Sequence, residues 1–593
     1  AARLAGESSE ADIDMEKIDY DDKKVLSSIG TGRTDGIFQL ESGGMKSFMK
    51  ELKAENLEDI IAGISLYRPG PMDFIPRYLK GKNDKGSITY ECPQLEHILS
   101  PTYGCIVYQE QVMQIVRDLG GYTLGRSDLV RRAMSKKKQS VMEKERANFI
   151  YGNEQEGVPG CVANGISQQV ATQIYDDMMD FAKYAFNKSH AACYAVVSYQ
   201  TAYLKYYYPV EFMAALMTSV IDNAGKVAEY IMVCRNMGIA ILPPDINQGE
   251  RGFSVDGKSI RYALTAIKSV GRPVIDAVVE ERKARGSYTN LKDFITRMSD
   301  KEVNKKAIEN FIKAGAFDSL PGTRKQFMSA YVQIMDHIVH DRKNNMAGQI
   351  SLFDIVDESQ KEEFEVKLPD VGEYSKEMLL AFEKEVLGIY ISGHPLEEQE
   401  ELWKKGITNT TADFMLDEET GTARVRDIAT VTIGGMIADK KIKYTKNDKI
   451  MAFLQLEDLV GSVEVIVFPR DYEKYSEKLI EENKVFIRGR VSLEEEKDGK
   501  LICERITAFD EIPRKLWVKF PTKESYDQAE KELFTLMADS DGKDSVIIYI
   551  EEEKVMKKLP PNRNVNAEEA LCVKLGERFG KENIKVVWSV KKD

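Results

Sequence analysis

The sequence predicts a multidomain α+β protein: mostly helical up to about residue 400, then a β-barrel, then a small α/β module. Three observations predict this class. The chain has 593 residues, more than one hydrophobic core organises. Helix-compatible segments punctuated by Pro and Gly fill the first two thirds, and from Arg424 the pattern changes to short alternating β segments.

Composition narrows the classes further. The chain is 43% hydrophobic and 30% charged, as in a soluble globular protein. Its net charge of -13 argues against a coat that binds nucleic acid over its whole surface, but leaves room for a local basic channel. Seven scattered Cys without a Cys-x-x-Cys pair favour reduced cytosolic thiols over a disulfide framework or structural zinc, and hence a cytoplasmic location. No apolar run has membrane-spanning length. Ala1-Ala2-Arg3 carries neither an initiator Met nor a signal core, so the chain is expected to begin inside a longer protein.

Residues 1–35 read as an acidic linker. Its carboxylates (Asp12, Asp14, Asp19, Asp21, Asp22) lack flanking β-formers and fit a solvated surface better than a metal site. An amphipathic helix is expected over 46–67. Arg68-Pro69-Gly70-Pro71 must stop it, because proline disfavours helical geometry in the residue before it. Arg68 is then either a helix-end guanidinium or a preorganised phosphate contact. Residues 103–114 pass from a β-like segment into a helix. A glycine-rich loop over 120–128 leads to a cationic helix, where Arg131, Ser135 and Lys138 share one face and Arg132 and Lys136 the next. Like charges so crowded repel unless an anion lies between them, although basic helices are often simply solvated.

The stretch around which the rest is organised runs from Phe181 to Phe212. Its apolar and aromatic course is broken by Asn187, Lys188, Ser189 and His190. A cation and a histidine between helical segments suit an anionic ligand with an aromatic or sugar part; a satisfied core histidine is the alternative. With the basic helix upstream, the two form a candidate nucleotide-binding surface.

Ala266 to Ile275 reads as helix, tight turn, helix. Such a hairpin would meet DNA phosphates at its turn, making Lys268, Gly271 and Arg272 candidates. A second hairpin is expected over 307–317 with Gly315 in its turn. Gln349, Ile350, Ser351, Leu352 and Phe353 place Leu-Phe in a polar loop, a peptide that either docks in a partner's apolar groove or folds back on its own domain. Segments 430–437, 450–457, 462–468, 485–493 and 501–508, with a helix over 471–482, match an OB-fold. Lys440, Lys441, Lys443 and Tyr444 cluster in the loop expected after its first strand, a common side for single-stranded nucleic acid; a solvated hairpin is the alternative. Residues 515–593 alternate strand and helix.

Seven phrases in order then carry a resemblance: Phe38-Gln39-Leu40-Glu41-Ser42, Arg68-Pro69-Gly70-Pro71, Tyr108 to Met113, Arg131-Arg132-Ala133-Met134, Phe186 to His190, Leu242 to Asn247, and Gly393-His394-Pro395. They are similar to the alpha subunits of bacterial DNA polymerase III, the C-family replicative polymerases, in that family's C-terminal portion. The resemblance implies DNA-directed DNA polymerase activity, a nucleotidyl transfer joining deoxynucleotides to a primer 3′-hydroxyl. It implies a linker or palm remnant over 1–35, fingers over 36–240 and a helix-hairpin-helix region over 241–345. A clamp-binding peptide with connecting helices over 346–422, an OB domain over 423–513 and a tau-binding-like domain over 514–593 complete the division. Triphosphate contacts are implied for Arg131 and Arg132, with Arg68, Asn187, Lys188 and His190 as further candidates. Primer–template DNA, deoxynucleoside triphosphates, the sliding clamp and the clamp-loader tau subunit are the implied partners, with no membrane. In the family the aspartates that hold Mg²⁺ lie upstream of the position of Ala1, so this chain is expected to contain no catalytic metal ligand and to be inactive alone. The family's hairpin turn is richer in glycine, whereas Ser269 and Pro273 stand here. The reading from another class is a non-catalytic DNA- and clamp-binding scaffold.

Overall fold

A computed structural model describes residues 1–9, 13–135, 139–182, 186–299, 301, 303–346, 368–416, 422–494 and 498–588. The chain divides into two compact units, 1–392 and 393–593.

The first unit is helical around three apolar cores. One begins with α1 (Lys23–Gly30), capped by the Asp22 carboxylate and burying Val25, Leu26 and Ile29. They pack with Ile37, Leu40 and the apolar faces of α2 (Gly43–Leu52) and α3 (Leu57–Leu66). The stretch expected as linker is therefore partly core. Its apolar residues are too few for the periodicity to show, but their 25, 26, 29 spacing marks one helix face. Its described carboxylates serve the fold: Asp14 pairs with Lys17, and Asp22 caps α1 and accepts from the Tyr207 hydroxyl. Asp12 lies outside the described residues.

The single helix expected over 46–67 is two. Lys53 turns left-handed at φ 43°, and the Asn56 side chain accepts from the Asp59 N–H to start α3. The Pro-Gly stop after it is seen, with Gly70 at φ 105° before a short turn leading to α4 (Ile75–Asn83).

A second core gathers α5 (Gln109–Gly120), α6 (Leu124–Ser135) and the helices Gln139–Tyr151 and Gln168–Ala182. Gly121, at φ 73°, closes α5. Gly125 to Asp128, expected as loop, already belong to α6; the glycine-rich composition marked only the short connection before it. The 20-residue α7 (Lys188–Tyr207) buries Ala191, Ala195, Ser198, Tyr199 and Ala202 against the first core, with Tyr194 half-buried beside them, and presents His190 and Val197 outward.

The third core, from Phe212 to Leu387, contains α8 (Arg272–Arg285), α9 (Lys305–Ala314) and α10 (Lys376–Leu387). Only one 3-10 turn, Leu264–Ala266, precedes α8, not the first helix expected there. Apolar Ile267 and Val270 are buried instead as parts of a turn. Gly315, at φ 76°, caps α9.

In the second unit, β1 (Thr430–Tyr444), β2 (Ile450–Glu457), β3 (Ser462–Val467), β4 (Lys484–Ser492) and β5 (Lys500–Ala508) close a barrel in the order β1-β2-β3-β5-β4. The helix Pro469–Tyr475 lies between β3 and β4 in sequence. This is the OB-fold the alternation predicts. The C-terminal module has β6 (Arg514–Phe520), β7 (Ser545–Ile550), β8 (Val555–Lys558) and β9 (Ile584–Trp588) in the order β8-β7-β6-β9, with the helices Lys523–Met537 and Glu569–Phe579.

Candidate functional site

Two chain segments distant in sequence meet where α5 and α7 begin. Tyr108 bridges Phe186 in parallel, and the Gln109 N–H donates to the Phe186 carbonyl at 2.9 Å. Asn187 caps α7, its side chain accepting from the His190 N–H at 2.9 Å. The Glu110 carboxylate accepts from the Lys188 N–H at 3.1 Å, so the positive end of α7 already holds an anion.

Arg131 joins this junction from α6. Its Nη1 donates to the Gln109 side chain at 2.8 Å, and its Nη2 to Asp128 at 2.7 Å. Arg132 pairs with the other oxygen of Asp128 at 2.7 Å. The hydrogen bond from Arg131, aided by both positive charges, holds the Asp128 carboxyl below the usual carboxylate range. From the other side, the Arg68 guanidinium lies 3.7 Å from the centre of the Phe186 ring. Lys188 Nζ pairs with Glu58 at 2.9 Å and sits 5.3 Å from the Tyr108 ring. The Tyr108 hydroxyl is buried without a hydrogen-bond partner, and burial raises its pKa, so it stays protonated.

Arg131, Arg68, Asn187 and Lys188 are thus connected through Gln109 and Phe186. His190 extends the same edge, its ring 5.5 Å from Phe186 and 4.4 Å from Tyr194. Arg132 shares Asp128 with Arg131 but remains largely exposed. Sequence reasoning missed Gln109 and the three carboxylates Glu58, Glu110 and Asp128. Gln109 and Glu110 lie within Tyr108–Met113, yet nothing local says that they reach α6 and α7. Arg131, Arg132 and Lys188 each pair with a carboxylate, an arrangement a more highly charged polyphosphate can displace.

Near the other end of α7, the Lys205 ammonium donates to the carbonyls of Arg33 and Asp35, both at 2.8 Å, and burial pulls its pKa down to about 8. Among the described residues no three His, Cys, Asp or Glu converge to hold a metal ion. With Asp128, Glu58 and Glu110 each engaged, this site does not fit one.

The candidate DNA contacts are placed differently from expectation. Lys268 donates its N–H to Val386 and its ammonium to Glu385, so it holds the hairpin against the end of α10. Ser269 occupies a left-handed position at φ 59°, where glycine would sit without strain. Gly271 caps α8, and exposed Arg272 pairs with Asp222 at 2.7 Å. Lys440, Lys441, Lys443 and Tyr444 are not in a loop: β1 continues past a bulge near Ile437 and pairs Lys440 with Leu454 through Tyr444 with Ile450. The charges hid the strand from a pattern reading. Lys443 Nζ lies 4.7 Å from the Phe453 ring, and Tyr444 is exposed. Gln349, Ile350, Ser351, Leu352 and Phe353 lie outside the described residues, as do Lys136 and Lys138. Among the described residues no helix is long and apolar enough to cross a membrane.

Comparisons with known proteins agree with this order of parts. A family model described as the bacterial DNA polymerase III alpha subunit finger domain matches residues 1–157. A helix-hairpin-helix motif matches 238–327, and an OB-fold nucleic acid binding domain matches 431–508. The DNA polymerase III subunit alpha of Borreliella burgdorferi is 36% identical over 564 residues, covering 94% of this chain and 48% of that protein. That of Bacillus subtilis is 35% identical over 576 residues, covering 96% of this chain and 49% of that protein. The chain therefore spans about half the length of these relatives. A solved asparaginyl-tRNA synthetase from Pyrococcus horikoshii, 20% identical, covers 18% of this chain and 26% of its own at a TM-score of 0.12, too little to argue from.

Proposed function

From a chain that belongs to the bacterial DNA polymerase III alpha-subunit family, we infer the nucleotide- and DNA-handling part of a replicative DNA-directed DNA polymerase. The complete subunit transfers deoxynucleotides to a primer 3′-hydroxyl. The fingers (36–240) supply the triphosphate contacts, the helix-hairpin-helix (241–345) and OB (423–513) regions meet DNA, and 346–422 and 514–593 contact the sliding clamp and the clamp-loader tau subunit. The supporting observation is the connection of Arg131 through Gln109 to Phe186, which joins it to Arg68, Asn187 and Lys188.

Arg131 and Arg132 hold the triphosphate, because a planar guanidinium fork makes two parallel bonds to phosphate oxygens. Asp128 and Glu58 pair with Arg131, Arg132 and Lys188 and yield these cations to the triphosphate. His190 faces the sugar. Mg²⁺ bound in the complete subunit would supply charge neutralisation at the attacking oxygen and the pyrophosphate; we assign it no ligand in this chain. Soluble, cytoplasmic work on the replicating chromosome follows from the same reading.

Primer extension by the complete subunit tests the proposal. Arg131→Ala is expected to lower kcat/KM for the deoxynucleotide by about 2–4 kcal/mol, roughly 30- to 1000-fold, while primer–template affinity holds. Leu352→Ala with Phe353→Ala should weaken clamp-dependent synthesis and spare short clamp-free extension. An Arg131→Ala enzyme with the parent's kcat/KM would refute the nucleotide site.

A further inference from the structure

Beside the site, one exposed aromatic side chain is held at some conformational cost. Phe38 stays 38% exposed between the buried Ile37 and Leu40. Its backbone is fixed to α7 at both ends: the N–H donates to Thr201 Oγ1 at 3.1 Å, and the carbonyl accepts from Ser198 Oγ at 2.7 Å. Ser198 is fully buried, so its hydroxyl serves to hold an exposed residue in place. The next residue, Gln39, is left-handed at φ 63°, a conformation non-glycine residues seldom adopt and one that points to function when surrounding contacts enforce it.

The ring so held lies 5.2 Å from Tyr194, which lies 4.4 Å from His190, which lies 5.5 Å from Phe186 under the Arg68 guanidinium. Spacings of four along α7 put His190 and Tyr194 on one face, where the buried Ala191, Ala195 and Ser198 flank them, so His190 is exposed and Tyr194 is half-buried at the margin of the first core. The result is a continuous aromatic edge starting at the proposed triphosphate site and ending at Phe38, with its cations at the nucleotide end.

We propose that Phe38, Tyr194 and His190 form a stacking platform for the unpaired template bases just ahead of the base being copied. The proposal rests on the nucleotide-site reading, since that reading places the copied pair at the Phe186 end. Aromatic faces accept any base, as a template track must, and stacking gives affinity without sequence preference. A platform continuous with the nucleotide site also keeps the next base ordered as each pair is completed.

The test uses the full chain with a primer–template carrying 2-aminopurine at the first two unpaired template positions, and a blunt duplex as reference. Binding by the parent should quench 2-aminopurine emission. Phe38→Leu, which keeps apolar bulk but removes the ring, should lose most of that quenching. It should also weaken overhang binding on the order of tenfold, with blunt-duplex affinity held; Phe38→Trp should restore both. Parent-like quenching and overhang affinity in Phe38→Leu would overturn the platform. Equal weakening on blunt and overhang DNA would overturn it too, by assigning Phe38 to the fold or to a protein partner. Triphosphate binding by Arg131→Ala in the same assay separates the readings: if it is weakened while Phe38→Leu behaves as the parent, the nucleotide site stands and the platform falls.

Discussion

Replacing Asp59 by alanine should destabilise the first unit and spare the second. Asp59 is almost fully buried on α3, and its carboxylate accepts from Lys82 Nζ at 2.8 Å, the Glu55 N–H at 2.8 Å and the Tyr103 hydroxyl at 3.2 Å. The Lys82 side chain is 5% exposed, and its other carboxylate, solvent-facing Glu55, stands at 3.7 Å. The alanine variant thus strands an ammonium in the interior and orphans an N–H. Breaking a buried pair from one side costs about 3–5 kcal/mol. Summing a lost charged hydrogen bond and one unsatisfied N–H gives a similar range, about 3–6 kcal/mol. At a urea m-value of about 3 kcal/mol/M the midpoint should fall by roughly 1–2 M. The assay separates the units without labels. Trp403, Trp517 and Trp588, the chain's three tryptophans, all lie in the second unit, whereas the first is mostly helical. Far-UV ellipticity should therefore shift while tryptophan emission keeps its midpoint. Adding Lys82→Met should recover at least half the loss, because the stranded charge is removed. An unshifted ellipticity transition would refute the reasoning, and a shift of both signals would show that the two units unfold together. The pair matters to the site because α3 also carries Glu58, the partner of Lys188.

Asp128→Asn removes the shared acceptor of Arg131 and Arg132. It should lower the KM for deoxynucleotide in the complete subunit, with the gain shrinking at high salt; a higher KM would mean that Asp128 orients Arg131 instead of competing for it. His190→Ala should raise ribonucleotide incorporation, and unchanged sugar discrimination would exclude His190 from the sugar. Lys205 titrates near 8 in the fold against an ordinary 10.5, so the unfolded chain binds more protons between those values and stability rises with pH there. The parent should gain stability relative to Lys205→Met from about pH 8 to pH 10; a constant difference would mean that the amine is not depressed.

Local chemistry made much of this legible. Pro69 and Gly70 stop α3 where chain stiffness requires, Asn187 is read directly as a cap, and period-two alternation gives all five barrel strands. Failures came where a long-range contact decided the outcome. Val25, Leu26 and Ile29 look too sparse to fold until the first core covers them. The lysines of β1 suggested a loop because charge masks a strand whose ladder to β2 supplies the order. Gln109 reveals nothing locally, since its partners come from α6 and from Phe186, just ahead of the Asn187 cap of α7. The charge-neutralised state of the site was likewise hidden: cations announce an anion, but only coordinates show that Asp128, Glu58 and Glu110 already stand in for it.

The most direct measurement is photolabelling of the complete subunit with a deoxynucleoside triphosphate carrying an aryl azide on its γ-phosphate, followed by peptide mapping. Label in both 124–135 and 186–194, suppressed together by excess unlabelled triphosphate, is the predicted result. Label confined elsewhere, or in these two peptides without competition, would contradict a common triphosphate site.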